Sequence, residues 1–273
     1  MPELIFDLPF SQYRAIPALN ASAIKAGRTS MKHMRNAIQS EQEATSAMAK
    51  GTLIHDLLLN PMFWSNSVIT DENRNSKAFK EIAIQYEGRP ILKNEQADEL
   101  RTIEASVQAN KCALDLLSVC RYEVTATWEK GGLGLCKARF DALSNDRSFF
   151  IDVKTCSDIS PRSVGSQFVN MGYDIQYGWY RYGLEDITTK RAKVYQINIE
   201  TSAPYDVTVD EVYSESCDEG LRKAIEIATK YRECEKVGTF NGVRDYLAKM
   251  QLPEWYKETL DMSGEIPFGN FED

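Results

Sequence analysis

The stretch FFIDVKTC, residues 149–156, combines a strongly apolar strand pattern with two charged residues, Asp152 and Lys154. Successive side chains of a strand point to opposite faces, so the apolar residues at the odd positions share one face while Asp152 and Lys154 share the other. We therefore expect this strand to bury one face in a core. The same strand delivers a carboxylate and an ammonium group together on its opposite face.

The preceding stretch KARFDAL, residues 137–143, is predicted to be the neighbouring strand of an antiparallel meander. A short turn, SNDR, follows it and can bring Asp141 alongside Asp152. Two adjacent carboxylates repel each other, and a divalent cation between them removes that penalty. Because hard oxygen ligands favour Mg2+ or Mn2+, the pattern predicts a metal site with Lys154 beside it. Such a site is suited to phosphodiester hydrolysis.

A bare D-x-K triplet is more often a salt bridge at the edge of a sheet than part of a metal site. The acid one strand and a turn upstream, Asp141, favours the metal site instead. From these residues alone, both interpretations of Asp152 and Lys154 stay open.

The composition limits the class of protein. With 273 residues, of which 43% are hydrophobic, the chain can build a real core. A net charge of -8 argues against coating nucleic acid by bulk electrostatics. No stretch approaches the roughly 18 apolar residues that cross a bilayer, and the N-terminus lacks signal-peptide features, so we expect no membrane partner and a cytoplasmic location. Six irregularly spaced cysteines predict reduced thiols, without a zinc site or disulfides.

Periodicity and capping residues place the other elements. A helix is expected near Asn20, and another from about Thr45 to Asn60. The polar residues 65–90 predict an irregular surface excursion, and residues 94–120 resume a helical pattern. Strands are predicted at about 122–129, 133–143, 148–155, 191–200 and 205–212, and helices at about 161–171, 174–185 and 214–237.

His55 lies inside the predicted helix 45–60. Gly51, one turn earlier on the same face, leaves room beside the imidazole for another chain segment or an ion. A single histidine in a helix is more often a hydrogen-bonded core residue. From this segment alone, metal binding by His55 is therefore the less common of two alternatives.

The two strands together resemble the signature of the PD-(D/E)XK nuclease superfamily. In this comparison KARFDAL supplies Asp141 as the first acid, and FFIDVKT supplies the D-x-K triplet that ends at Lys154. Phe140 precedes the first acid where the signature has proline, at a position where the superfamily is variable. Upstream, GTLIHDLLLNP looks like the histidine-bearing helix of the exonuclease branch, and downstream, GYDIQYGWYRYGL resembles its QxxxY motif, on Gln176 and Tyr180.

The motifs also follow the order of that branch from about Leu19 to Val209, most similarly to the nuclease domains of exonuclease VIII (RecE) and phage recombination exonucleases. The resemblance implies an α/β fold with a restriction-endonuclease-like core, in which helices flank a mixed central sheet, and an N-terminal helical segment. It implies one exonuclease domain over residues 1–273. This domain would contain a helical part at about 1–120, the catalytic sheet and helices at about 121–237, and a tail at about 252–273.

The resemblance further implies a Mg2+-dependent 5' to 3' exonuclease, with Mn2+ as a substitute. Such an enzyme digests double-stranded DNA from its ends and leaves 3' single strands for recombination by annealing. Its partners would be DNA ends, a single-strand annealing protein and further copies of the chain in a closed ring. It would act in a bacterial host cell and be encoded by a phage or prophage. The alternatives are a RecB-like or Cas4-like nuclease, another nuclease of the superfamily, or a non-catalytic DNA-binding subunit.

Site residues follow from the same resemblance. The metal ligands would be His55, Asp141, Asp152 and the main-chain carbonyl of Val153. Lys154 would be catalytic, and Glu123 is a further candidate acid near the metal. Gln176 and Tyr180, one helical turn apart, would hold the DNA end or its phosphate.

Basic residues supply the candidates for DNA contact. No acidic residue occurs between Leu8 and Ser40, which indicates either a phosphate-facing surface or an ordinary solvated helix. The candidates for a basic inner wall are Lys25, Arg28, Lys32, Arg35, Lys137 and Arg139. A ring that is basic inside and acidic outside would reconcile DNA binding with the net charge.

An iron–sulfur cluster is not expected. Nucleases of the superfamily that carry one place a cysteine upstream and three near the C-terminus. This chain has no cysteine after Cys234, and we therefore predict no cluster.

Overall fold

A computed structural model describes residues 2–40 and 46–250. The tail predicted at about 252–273 and the predicted helix start at Thr45 lie outside these residues. The strands are β1 (Glu3–Ile5), β2 (Val68–Ile69), β3 (Ile91–Leu92), β4 (Cys120–Lys130), β5 (Gly134–Ser144), β6 (Phe149–Cys156), β7 (Lys193–Glu200) and β8 (Val207–Glu211).

Helices lie on both faces of the main sheet. They are α1 (Phe10–Ala15), α2 (Ala21–Gly27), α3 (Met31–Gln39), α4 (Ser46–Leu59), α5 (Phe63–Asn66), α6 (Lys77–Gln85), α7 (Asn94–Ala109), α8 (Lys111–Leu117), α9 (Pro161–Asn170), α10 (Tyr173–Thr188) and α11 (Ser214–Val237). Helix α9 begins as predicted, because Ser160 caps it by accepting a hydrogen bond from the Ser163 N–H and Pro161 occupies its first turn.

Within the described residues, the main sheet has six strands in the order β1-β4-β5-β6-β7-β8. Strands β4, β5 and β6 are antiparallel neighbours, which confirms the predicted meander. Strand β7 runs parallel to β6, and β8 returns antiparallel to β7. The sheet is therefore mixed and flanked by helices, as expected from the sequence.

Two hydrophobic clusters cover the two faces of this sheet. One joins α2, α3, α10 and α11 to β4 and β5, with Trp128 and Trp179 fully buried at its centre. The other joins α4, α7 and α8 to β6 and β7 through Ile151 and Ile197. Both sides of β6 are thus covered, and any polar side chain on this strand needs a partner.

Strand β4 is kinked at Glu123, where φ is 55°. Val124 pairs with Phe140, and Tyr122 pairs with Ala142. The Val124–Phe140 pair packs in the cluster that contains α10, and the Tyr122–Ala142 pair packs in the cluster that contains α4. On a regular strand, residues two apart would share one face. The kink therefore switches the faces at the position where Asp141 lies.

The prediction that residues 65–90 are irregular is wrong. They contain β2 and α6, and β2 pairs in parallel with β3. Ser76 caps α6 by accepting a hydrogen bond from the Phe79 N–H. These elements are short and mostly polar, so their hydrophobic periodicity is too weak to be recognised in the sequence. The six cysteines are free thiols, and no helix among the described residues is long and apolar enough to span a bilayer.

Candidate active site

Strand β6 places Asp152 and Lys154 on the face that packs against α10. Lys154 Nζ lies 2.5 Å from Asp152 Oδ2, and the Asp152 side chain is buried. Burial alone would lower the pKa of Lys154, but the carboxylates of Asp152 and Asp141 outweigh it and raise that pKa above its ordinary value. Lys154 is thus held as an ammonium ion between two acids.

Asp141 points across the sheet towards β6 because of the kink at Glu123. The ladder between β5 and β6 includes the pairs Ala142–Ile151 and Leu143–Phe150. At the next position, Asp141 Oδ2 accepts the Val153 N–H at 2.7 Å. The N–H and C=O of a strand residue point to the same side, so the Val153 carbonyl faces this gap as well.

The environment of Asp141 leaves its negative charge poorly compensated. The pKa of Asp141 is raised to about 6, mainly by burial and also by the charge of Asp152, while His55, Lys154 and the Val153 N–H oppose the shift. The His55 Nδ1 atom lies 3.6 Å from Asp141 Oδ2. A cation beside this carboxylate would relieve the repulsion.

His55 reaches the site because α4 packs closely on β6. A Cβ atom added at Gly51 would lie 3.1 Å from Thr155 Oγ1. The space predicted beside Gly51 is therefore filled by β6 itself, a chain segment, which was one of the two expected occupants. This close approach sets the distance between His55 and Asp141.

Helix α10 supplies the residues that hold Asp152. Gln176 Nε2 donates to Asp152 Oδ1 at 2.7 Å, and the Tyr177 hydroxyl lies 2.9 Å from Asp152 Oδ2. Tyr173 lies under Lys154, with the ammonium 4.5 Å from its ring centroid. Together with Lys154, these contacts give Asp152 three polar partners, so its environment differs sharply from that of Asp141.

Tyr180 was predicted to act with Gln176, but the structure does not bring the two side chains to the same acid. The Tyr180 ring packs instead against Phe140 and Phe150, with centroid distances of 5.5 and 6.1 Å. Sequence reasoning missed Tyr173 and Tyr177 as site residues. The available signal was helical spacing, since Tyr173, Gln176 and Tyr177 occupy positions i, i+3 and i+4 of one face.

Glu123 lies opposite Asp141 in the sheet, but its side chain pairs with Arg139. Its charge is also close to α4: desolvation raises the pKa of Asp56, Glu123 raises it further, and His55 opposes the shift. Glu123 therefore borders the site, and no described contact joins its carboxylate to Asp141.

The predicted DNA-contacting residues divide into two groups: the four between Lys25 and Arg35, and the pair Lys137 and Arg139 on β5. Lys25 is part of the site, because its Nζ donates to Gln176 Oε1 at 2.8 Å. The pKa of Lys25 is lowered to about 8, mainly by burial and also by the charge of Lys154. Arg28 is exposed and donates to the Asn170 carbonyl at 3.1 Å. Lys32 and Arg35 are also exposed, on the neighbouring helix α3.

Lys137 and Arg139 turn inward, away from the surface that the sequence pattern indicated. Lys137 is buried and donates to the carbonyls of Tyr13, Arg14 and Ile16 at the end of α1. Arg139 donates to Glu123 and to the Leu8 carbonyl. Their donors are thus used by the N-terminal segment, because the strand parity that groups them with Asp141 is broken by the kink.

The side chains at the site fit a hard divalent cation by type. Carboxylate oxygens, a main-chain carbonyl and an imidazole suit Mg2+ or Mn2+, and the pKa of Asp141 is raised mainly by burial and also by the second carboxylate, Asp152. Among the described residues, no three His, Cys, Asp or Glu side chains already converge as a metal-binding group. The ammonium group of Lys154 instead balances the charge of the Asp152 carboxylate.

Comparison with known proteins identifies the wider relationship. A family model described as a PDDEXK-like domain of unknown function matches residues 20–241. No curated protein matches the chain.

The solved structures that are similar to this chain include two exonucleases. The crystal structure of a candidate exonuclease from Eubacterium rectale has a TM-score of 0.63 and 14% sequence identity, covering 94% of this chain and 97% of its own. A phage-related exonuclease from Haemophilus somnus has a TM-score of 0.36 and 12% identity, covering 81% of this chain and 96% of its own. The first likeness shows a shared fold.

Proposed function

The chain belongs to the family of PDDEXK-like domains, and we propose from this membership and from the site that it is a metal-dependent nuclease acting on DNA ends. The fold is restriction-endonuclease-like, as the sequence predicted. The observation that carries the proposal is the convergence of Asp141, Asp152 and Lys154 across two adjacent strands. A salt bridge at a sheet edge would not require the second acid beside it.

Each residue has a defined role in this proposal. His55, Asp141, Asp152 and the Val153 carbonyl would hold Mg2+. When bound, the ion would act as a Lewis acid towards the phosphate and would lower the pKa of a water molecule bound to it. Lys154, held as an ammonium, stabilises the negative charge that develops on the phosphate oxygens. Gln176 keeps Asp152 in position through its amide and accepts a hydrogen bond from Lys25.

The finer proposal is a 5' to 3' exonuclease that digests double-stranded DNA and leaves 3' single strands for a partner annealing protein. We further propose a closed homo-oligomeric ring, in the cytoplasm of a bacterial host and encoded by a phage or prophage. These points are supported by the resemblance of the motifs to recombination exonucleases. The exposed basic residues Arg28, at the end of α2, and Lys32 and Arg35, on α3, also support a phosphate-facing surface.

One observation favours a second candidate. The direct contact between Lys154 and Asp152 is also what a plain salt bridge would show, and a DNA-binding subunit without catalysis could retain it.

A digestion assay separates the two candidates and tests the proposal. Linear duplex DNA, labelled at either the 5' or the 3' end, and covalently closed circular DNA are incubated with the protein and Mg2+. We expect the linear DNA to be shortened from its 5' ends and the closed circles to stay intact. Cleavage of closed circles would exclude an exonuclease, whereas binding of DNA without any cleavage would favour the non-catalytic subunit.

A further inference from the structure

A chain of buried polar side chains leads from Asp152 across β7 to the edge of the sheet. The Tyr177 hydroxyl lies 2.9 Å from Asp152 Oδ2 and 2.7 Å from Gln196 Oε1. Gln196 Nε2 donates to Asn198 Oδ1 at 2.5 Å, and Asn198 Nδ2 donates to Asp210 Oδ2 at 2.7 Å. The polar relay is defined here as Tyr177, Gln196 and Asn198.

Packing alone does not account for the polar relay. Gln196 and Asn198 are 2% and 1% exposed, and Tyr177 is fully buried. Burying amides costs free energy unless every polar atom finds a partner. On the opposite face of the same strand, Ile197 and Ile199 fill the core with apolar side chains. If the face of β7 that points towards α10 had a packing role alone, apolar side chains would serve there equally well.

The orientation of each amide in the polar relay is set by the next residue outward. Asp210 accepts from the Asn198 Nδ2 atom, so the Asn198 Oδ1 atom faces inward and accepts from Gln196. The Gln196 Oε1 atom then faces Tyr177. Tyr177 has one proton and two nearby acceptors, and the charged carboxylate of Asp152 is the stronger of the two.

The two oxygens of Asp152 are unequally occupied as a result. Oδ2 is contacted by both Lys154 and Tyr177, whereas Oδ1 accepts from Gln176. An ionised carboxylate offers about four acceptor positions over its two oxygens. Oδ1 therefore retains more acceptor capacity for a cation than Oδ2.

We propose that Tyr177, at the inner end of the polar relay, is a positioning residue, which holds Asp152 so that Oδ1 is presented for metal binding. This inference rests on the proposed function. Partners behind a metal ligand orient it and restrict its motion before the ion arrives, and losing one typically costs about 10- to 100-fold in metal affinity.

The test replaces Tyr177 by phenylalanine, which removes the hydroxyl and keeps the ring. Mn2+ binding is measured by titration calorimetry on the full chain, and folding is measured by circular dichroism and thermal melting. We expect Tyr177→Phe to remain folded and to bind Mn2+ about tenfold more weakly. Tyr231→Phe is the matched control: Tyr231 is a buried tyrosine on α11, and its substitution should leave Mn2+ affinity unchanged.

Gln196→Met is the second variant, because it keeps the length of the side chain and removes the amide. Because Gln196 Oε1 competes with Asp152 for the single Tyr177 proton, we expect Gln196→Met to keep the Mn2+ affinity of the unsubstituted protein or to exceed it. Unchanged affinity in folded Tyr177→Phe, whatever the melting temperature, would overturn the positioning role, and so would an equal loss of affinity in both folded variants. Unfolding of Tyr177→Phe would assign the hydroxyl to stability and would also overturn it.

The same titration distinguishes failure of this inference from failure of the proposed function. If the unsubstituted protein binds Mn2+ and Tyr177→Phe binds it equally well, Tyr177 is not a positioning residue while the nuclease proposal stands. If the unsubstituted protein binds no Mn2+, the metal-dependent function and the positioning role are both overturned.

Discussion

Asp141 and Asp152 are the same residue type in two different environments. Asp152 is surrounded by Lys154, Gln176 and Tyr177. Asp141 has the Val153 N–H as its hydrogen-bond donor and the more distant His55 ring. Because one acid is well compensated and the other is not, a cation gains most by approaching Asp141. The raised pKa of Asp141 therefore predicts that this residue makes the stability of the metal-free protein depend on pH.

Lys154→Ala should leave the fold and DNA binding largely intact and reduce Mg2+-dependent turnover by about 10²- to 10³-fold, the usual cost of removing a group that stabilises transition-state charge. Turnover on end-labelled linear DNA is the measurement. The matched control is Lys193→Ala, which removes an exposed lysine paired with Glu211 and should have no effect. If Lys154→Ala retains turnover, the D-x-K triplet is a salt bridge.

Asp141→Asn should stabilise the metal-free protein at neutral pH. The folded-state pKa of Asp141, about 6, lies above its ordinary value of 3.8. Its contribution to stability is thus fully present below about pH 4 and lost as the pH rises through about 6. Asparagine does not titrate, so the gain in the free energy of unfolding should grow from near zero at pH 4 to about 3 kcal/mol at pH 7.

Urea denaturation at several pH values, with a chelator present, measures this gain for Asp141→Asn. Asp115→Asn, at an exposed position on α8, is the control and should show little change with pH. A gain for Asp141→Asn that is independent of pH would contradict the raised pKa.

Helix α10 is the element that builds the site, because its first two turns carry Tyr173, Gln176 and Tyr177. Its position is set by close contact with α11: a Cβ atom added at Gly220 would lie 1.8 Å from the Asp174 carbonyl oxygen, and one added at Gly178 would lie 2.3 Å from the Leu221 nitrogen. Paired glycines thus let two backbones approach each other, and this approach aims Gln176 at β6.

Gly220→Ala should therefore destabilise the protein by about 1–3 kcal/mol or more, as overpacking against a backbone usually does. It should also weaken Mn2+ binding, because α10 must move. Gly165→Ala is the control: no described atom lies within 4 Å of a Cβ added there, and alanine in a helix is favoured by up to about 1 kcal/mol over glycine. Urea denaturation of both variants decides the matter, and equal stabilities would refute the contact.

At the scale of the whole molecule, a net charge of -8 coexists with basic residues at the site. Lys25 is half-buried against Gln176, while Arg28 at the end of α2 and Lys32 and Arg35 on α3 are exposed. Lys137 and Arg139 donate to main-chain carbonyls of the N-terminal segment, which leaves the exposed basic residues at the end of α2 and on α3 as the candidate DNA surface. Assembly with α2 and α3 turned inward would enclose DNA in positive charge and leave an acidic exterior.

The proposed ring predicts a solution mass that is a whole multiple of 31.0 kDa. Light scattering during size-exclusion chromatography, at several protein concentrations, measures this mass directly. We expect a closed oligomer of three or four copies whose mass does not grow with concentration, because a ring has no free interface. A mass of one chain throughout would rule out the ring without affecting the site.

The sequence by itself determined the elements with strong local signals. Alternation over FFIDVKTC placed Asp152 and Lys154 together, and Ser160 with Pro161 marked the start of α9, because these patterns depend on neighbours two to four residues apart. The order of motifs also pointed to the superfamily. The alternation of side chains along the strand did not predict where Lys137 and Arg139 lie relative to Asp141, because the kink at Glu123 switches the faces of the sheet.

The tertiary structure alone decided which side chains meet. The sequence offers both Tyr177 and Tyr180 on α10, and the depth and rotation of this helix, set by its contact with α11, bring Tyr177 to Asp152. The chain from Tyr177 to Asp210 likewise joins an α-helix to two strands distant in sequence. Contacts of this kind depend on packing between elements, and no periodicity within one element encodes them.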